Sequence, residues 1–385
     1  MDEIHNCPNK PMLAGSSNIR RGMDSTIRSQ LGKEREMSNF TSGKLRCSAL
    51  LASALLVASS VVPMTSAAYA QDKKPVIRYV FKFSTKWWPP EIDKKIQENA
   101  ARLGVDYEVV GPENGDIAKQ VEMIENYVSD KVDALVVSSL GPATCQAVDD
   151  AIAAGVPVVM GDGDCSESTR LGYYGSNNLS LGADAATLFA EAVKDKGHQR
   201  VLVVTGTPGA QNLQEREQGF KDKVKDLALD VEFLPTIPCY EDTQKAIDAI
   251  ESSLRADPSI TAVYVTALWP FQASAASLPL MTAKAKEGKL VVVNVDAFPN
   301  GLKLVEDGYI YGQVSQNLGQ LTAGMVEYAN QVALNGVKYP SVCNLANQLI
   351  TKDGGSGRIS AAEFNKKIWT DFDWDTHPVQ VTDCQ

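Results

Sequence analysis

VFKFSTKWWPPEIDKKIQENAARLGVDYEVV, residues Val80 to Val110, reads as the end of a strand, a loop, a helix and a second strand. Residues Val76 to Phe83 are rich in β-branched and aromatic types, as a buried strand requires. Pro89 and Pro90 cannot prolong a strand, but a proline suits the first turn of a helix. Ile92, Ile96 and Ala100 follow at helical spacing, and Gly104 closes the helix before Val105–Val110. Between strand and helix lies Ser84-Thr85-Lys86-Trp87-Trp88. In an open α/β sheet this loop, at the carboxyl end of a strand, is where ligands bind. Two adjacent tryptophans there have two readings. Either both are core, or they form a platform on which the C–H face of a sugar ring or polyol stacks. The polar flanks and following prolines make the loop hard to bury.

The same unit recurs along the chain. Strands are expected at Ala134–Ser138 and Val156–Met160, with helices near 90–103, 115–129 and 143–154. A second series begins after Ser176-Asn177-Asn178. Its strands are expected at Val201–Thr205, Val231–Leu234, Ala262–Thr266, Leu290–Val295 and Ile310–Ser315. Its helices are expected near 180–196, 211–227, 242–255, 272–286 and 318–334. Strictly alternating strands and helices imply parallel sheets covered on both faces. The expected fold class is therefore α/β, with two similar doubly wound lobes. The first spans residues 75–176 and 317–342, and the second 177–316 and 343–385 with a C-terminal tail. Phe364, Trp369, Phe372 and Trp374 make that tail too aromatic for disorder, and a short helix near 360–369 is expected on one lobe.

Residues 1–70 read as an extension and a leader. Met37 is an alternative start to Met1. Lys44 and Arg46 form a basic region, an apolar run follows from about Leu50 to Val62, and Ala68-Tyr69-Ala70 is a small-x-small cleavage site. The run is short of the ~20 apolar residues of a membrane span, so a cleaved export signal is expected, with cleavage after Ala70. The whole chain carries a net charge of −10, and downstream of Ala70 there are 42 Asp+Glu against 29 Lys+Arg. That balance argues against nucleic acid or anionic membrane as a partner. The three histidines, His5, His198 and His377, share no motif, so no metal is expected. Cys145, Cys165, Cys239, Cys343 and Cys384 remain after cleavage, and export permits disulfides. Cys145 and Cys165 follow the third and fourth strands at one sheet edge and are expected to pair. Cys239 is offered Cys343 or Cys384.

Several motifs occur in order: the aromatic pair after the first strand, GVPVVMGD ending at Asp162, YGSNN ending at Asn178, a glycine-rich run from Gly206 to Phe220, VVNVD ending at Asp296, and GQVSQ ending at Gln316. By these marks the chain resembles the sugar-binding proteins of bacterial ABC importers, in the ribose-binding-like group, over roughly residues 76–349. The resemblance implies two lobes joined by three crossings that close on a ligand. It also implies a monomer with no cofactor, in the periplasm, that passes a sugar or polyol to a membrane permease. A variant presents the closed form to a sensor kinase or chemoreceptor. Sugar-responsive repressors share the pattern, but they carry an N-terminal DNA-binding motif where this chain has a leader.

Carried over residue by residue, the stacking pair falls on Trp87 and Trp88, and the polar residue before it on Thr85 or Lys86. The hydroxyl-gripping aspartates fall on Asp162 and Asp296, and a hinge-side amide falls on Gln316. An arginine usual after Asp162 is replaced by Gly163. A second binding arginine falls on Gln214, with Arg216 read as structural. A stacking aromatic falls near Tyr240, and Ala267-Leu268 beside Trp269 replaces an Asn-Asp pair. Gln214 and Gln316 could equally serve solvation or a hinge, and Trp269 could be packing. Asp164 and Glu167 read as solvated. Fewer cationic donors and more indoles imply a neutral, hydroxylated ligand with an apolar face. The rival class is a secreted carbohydrate-active enzyme using Asp162 and Asp296 as an acid/base pair. Against it, no histidine accompanies Cys165 or Cys239.

Overall fold

The computed structural model describes residues 73–374 without Trp87, together with Pro378, Val379 and Cys384. The expected leader, its cleavage point and Trp87 lie outside these. The first lobe runs β1 (Val76–Val80), α1 (Pro90–Leu103), β2 (Asp106–Val110), α2 (Ile117–Ser129), β3 (Ala134–Val137), α3 (Pro142–Ala153), β4 (Val158–Gly161) and β5 (Tyr173–Ser176). The second runs α4 (Asn178–Ala192), β6 (Gln199–Thr205), α5 (Gln211–Asp226), β7 (Val231–Phe233), β8 (Ile237–Pro238), α6 (Thr243–Ala256), β9 (Ala262–Val265), α7 (Pro279–Lys286), β10 (Val291–Val295), α8 (Pro299–Glu306) and β11 (Gly312–Ser315). A helix over residues 318–334, with α9 (Met325–Ala329) at its centre and wide turns on either side, returns the chain to the first lobe. Then come β12 (Val342–Leu345), β13 (Gln348–Thr351), β14 (Arg358–Ser360) and α10 (Ala361–Phe364).

Two sheets result, a six-stranded one ordered β12-β5-β4-β3-β1-β2 and an eight-stranded one built on β14-β13-β11-β10-β9-β6-β7. Every pairing in the first is parallel, and in the second only β11 with β13 is antiparallel. β3, β4, β9 and β10 are buried along their whole length, as strands covered by helices on both faces must be. α1 buries Ile92, Ile96 and Ala100 and ends at Gly104 in the left-handed region (φ 70), whose N–H caps the last turn. Asp116, Asn177 and Asp242 cap α2, α4 and α6 with their side chains.

Some expected boundaries move. The helix expected over 272–286 is broken: short 3-10 turns at Trp269–Gln272 and Ala275–Ser277 precede α7, because Pro279 sets a new helix start. The division expected at 342/343 also shifts, since Cys343, Asn344 and Leu345 pair with β5 in the first sheet. The tail helix forms as α10, continued by a wide turn over Asn365–Thr370.

Cys145 and Cys165 are bonded, and so are Cys343 and Cys384. Cys239 is buried and free, which removes both pairings offered for it. Burial, helped by the nearby Glu241 charge, pushes its thiol up to about 12, so it is no nucleophile at neutral pH.

Candidate functional site

In each sheet the strand order reverses, between β1 and β3 in the first and between β6 and β9 in the second. The segments that follow β1 and β4 of the first sheet and β9 and β10 of the second line one cavity of about 90 Å³, several times the ~10–15 Å³ one water needs. Its charged lining comes from both lobes; besides Glu241 after β8, it holds four groups: Lys82 just past β1, Asp162 after β4, Arg216 on α5 and Asp296 after β10.

These four groups form a chain of alternating charge. Lys82 Nζ lies 3.0 Å from Asp162 Oδ2, which also accepts from Ser138 Oγ at 3.1 Å. Arg216 Nη2 lies 3.9 Å from Asp162 Oδ1, too far for a hydrogen bond, and its Nη1 lies 3.4 Å from Asp296 Oδ2. Gln316 Nε2 donates to Asp296 Oδ1 at 2.8 Å. Lys82, Asp162 and Arg216 are only 4%, 6% and 1% exposed, and charges so buried persist only when paired. The two carboxyls are driven apart. Burial acts to raise Asp162, but the Lys82 and Arg216 charges and the hydrogen bonds from Lys82 and Ser138 outweigh it and hold the group below the usual carboxylate range. At Asp296 burial wins over Arg216 and Gln316, and the group is raised.

Local packing explains why these side chains stand where they do. A Cβ at Gly163 would lie 2.8 Å from Lys82 Cε and 2.8 Å from the Ser139 carbonyl, so only glycine lets Lys82 reach Asp162. Helices α4 and α5 meet backbone to backbone. A Cβ on Gly219 would be 2.0 Å from Leu179 O, and one on Gly182 would be 2.0 Å from Arg216 O. That contact, Asn178 Oδ1 accepting from Arg216 Nε at 3.0 Å, and Thr266 O accepting from Nη1 at 3.1 Å fix the guanidinium. Both aspartates sit at positive φ, 62° for Asp162 and 70° for Asp296, a conformation that turns each out of its strand and is tolerated by aspartate better than by most residues.

Five buried side-chain atoms of the lining have no hydrogen-bond partner among the described residues: Tyr79 Oη, Asn212 Oδ1, Arg216 Nη2, Trp269 Nε1 and Gln316 Oε1. Two are donors, two are acceptors, and the tyrosine hydroxyl can be either. Buried polar atoms are rarely left so, and five around one cavity leave hydrogen-bonding capacity open within it. Aromatic side chains form the walls. Trp88, half-buried, packs edge-on against Phe81 at 5.5 Å, and Phe83, Trp269, Phe298 and Trp369 also line the space. The lobes touch beside it, where Ser166 N and Oγ each donate to Gln211 Oε1 at 3.3 Å.

The carried-over positions divide. Trp88, Asp162, Trp269, Asp296 and Gln316 line the cavity. Thr85 does not, lying in the loop beyond the lining. Gln214 is exposed on the outer face of α5, and Arg216, two positions on, carries the positive charge instead. The site therefore keeps an arginine, and Lys82 stands as a second cation where Gly163 has no side chain. Tyr240 is half exposed and its ring lies under Lys245, while the next residue, Glu241, lines the cavity and accepts from Thr207 N at 2.9 Å. Asp164 is buried against Arg170 (Nη2 to Oδ2, 2.7 Å), not solvated. Lys82 was the legible omission: a lysine inside VIRYVFKF is either misplaced or paired.

Comparison with known proteins agrees with this architecture. Residues 77–336 match the family described as periplasmic binding protein domain. The ribose import binding protein of Escherichia coli (strain K12) is 24% identical over 305 residues, covering 78% of this chain and 98% of that protein. The crystal structure of an ABC transporter solute-binding protein from Burkholderia graminis, in complex with D-arabinose, is similar at 27% identity and a TM-score of 0.66, covering 73% of this chain and 96% of that one. The glucose-galactose binding protein GanP from Geobacillus stearothermophilus shares the fold at 23% identity and a TM-score of 0.66, covering 73% and 98%. With the family match spanning more than half of the chain, this protein belongs to the periplasmic binding protein domain family.

Proposed function

We propose that this protein binds a neutral sugar or polyol between its lobes in the periplasm and delivers it to the membrane permease of an ABC importer. The observation that carries the reading is the cavity's polar set. Two cations, Lys82 and Arg216, face three carboxylates, Asp162, Glu241 and Asp296, while donors and acceptors remain unpaired on Tyr79, Asn212, Arg216, Trp269 and Gln316. A hydroxyl both donates and accepts, so a polyhydroxylated neutral molecule can satisfy all of these, whereas a phosphate would meet three carboxylates. The aromatic walls suit the C–H faces of a sugar ring. The relatives whose names state ribose, arabinose, glucose and galactose support the class of ligand, and the importer context comes from the same names. Because the cavity draws on both lobes, the ligand stabilises the closed form, where alone it touches both.

The enzyme reading would need one aspartate to reach a glycosidic oxygen as an acid. Both carboxylates are instead engaged by cations or amides, and the relatives are named as binding proteins. A thermal-shift screen of pentoses, hexoses and sugar alcohols tests binding. A ligand at 100 times its Kd adds about 2.7 kcal/mol. Uptake of the labelled hit by cells with and without the gene tests delivery, and hydrolysis of a hit would overturn the non-enzymatic part.

A further inference from the structure

We infer that the C-terminal segment forms a ligand-contacting wall, Phe364, Ile368 and Trp369, which selects a hydroxylated ring bearing an apolar group (a deoxy position or an alkyl substituent) over its fully hydroxylated counterpart. This rests on the sugar-binding reading and narrows it. The segment lies outside residues 77–336, which the family match covers, yet these three side chains line the same cavity as Asp162 and Arg216.

The segment is held on both lobes. It starts from β14 in the second sheet, and α10 packs on α8. Farther on, Val379 O accepts from Gln331 Nε2 at 3.3 Å and Tyr339 Oη at 3.0 Å, and Cys384 is bonded to Cys343 in the first sheet. Its wall is therefore fixed to the scaffold across the cleft.

The chemistry of the wall is one-sided. Trp369 Nε1 donates to Ala297 O at 3.0 Å, so its single donor is spent, and its ring packs on Phe298 at 4.5 Å. Phe364 and Ile368 have no polar side-chain atom. A ligand hydroxyl directed at them would leave water and find neither donor nor acceptor, whereas a methyl or methylene loses nothing. The opposite requirement holds at Tyr79, Asn212, Arg216, Trp269 and Gln316, whose unpaired atoms demand hydroxyls. The site thus asks for a ligand polar on one part and apolar on another.

Calorimetric titration of the full chain with matched pairs tests this: D-galactose with D-fucose, D-glucose with 6-deoxy-D-glucose, and each hexose with its methyl β-glycoside. In at least one pair the apolar member is expected to bind about 10-fold or more tightly than its parent, the scale of one misplaced hydroxyl or methylene in an apolar pocket. Trp369→Ala is expected to bring that ratio toward one. Ile368→Thr, which is one heavy atom shorter and adds a hydroxyl to the wall, is expected to lower the ratio in a variant that stays folded. Binding without preference for the apolar member, or variants that weaken both members equally, would overturn the inference and leave the sugar reading standing. No binding by any pair, with binding of an unsubstituted pentose or sugar alcohol in the thermal-shift screen, would overturn the inference. No binding across pentoses, hexoses and sugar alcohols alike would overturn the sugar reading itself.

Discussion

The two lobes each end a buried strand in an aspartate of positive φ, Asp162 after β4 and Asp296 after β10, and the two behave oppositely. Asp162 has its own lysine at 3.0 Å and a serine hydroxyl, and is lowered. Asp296 has an amide at 2.8 Å and shares Arg216 at 3.4 Å, and burial raises it. A buried carboxylate with a dedicated cation is a settled charge. One with a shared cation is still short of donors, and ligand hydroxyls supply them. On this account Asp162 anchors the first lobe, while Asp296 gains most from the ligand.

The largest break in this comparison is Arg216→Met, which removes the one cation facing both carboxylates. Removing one partner of a buried pair costs about 3–5 kcal/mol, so urea unfolding is expected to show a loss of that size, and ligand binding is expected to vanish. Lys82→Met acts on Asp162 alone. Because Arg216 remains within 3.9 Å, its cost is expected at the low end, about 3 kcal/mol; a larger loss than for Arg216→Met would reverse the ranking.

Asp162→Asn and Asp296→Asn sharpen the contrast through pH. A lowered folded pKa gives stability that is present above the ordinary carboxylate value and lost as pH falls through the lowered one. Asp162→Asn is therefore expected to cost about 1–3 kcal/mol at neutral pH, a deficit that persists until strongly acid conditions. A raised folded pKa gives a contribution that is complete below the ordinary value and lost as pH rises through the raised one. Wild type is accordingly expected to gain stability relative to Asp296→Asn as pH falls from neutral. Chemical denaturation at several pH values reads both, and parallel profiles for the two variants would refute the asymmetry. The smallest effect expected is that of Trp88→Ala. Loss of an aromatic contact weakens ligand binding by about 0.5–1.5 kcal/mol, read as a change in Kd; an unchanged Kd with a lowered Tm would make Trp88 core.

Much of the fold was legible because parallel sheets write themselves as continuous apolar runs, such as those of β3, β4 and β10, with capped amphipathic helices between. β12, β13 and β14 were not. They are short, carry Asn344, Gln348 and Arg358, and take their place from partners more than 160 residues distant in the case of β12 with β5. The strand-end aspartates were legible as carboxylates in apolar surroundings that need partners. Helical phase, not spacing, puts Arg216 rather than Gln214 toward the cavity. The face of α5 is set by backbone contact at Gly219 with Leu179 on another helix, which one-dimensional spacing does not reveal. Tyr240 misses the cavity for a similar reason: it and Glu241 both have positive φ (56° and 58°), and that bend exchanges which neighbour faces the cavity.

The most direct test is calorimetric titration of ligand-free protein with neutral pentoses, hexoses and sugar alcohols. The account predicts one-to-one binding by at least one of them, with a Kd on the order of micromolar or tighter and a negative heat-capacity change from burial against the aromatic walls. Absence of binding by every neutral member, with tight binding of a phosphorylated or carboxylated sugar instead, would contradict it.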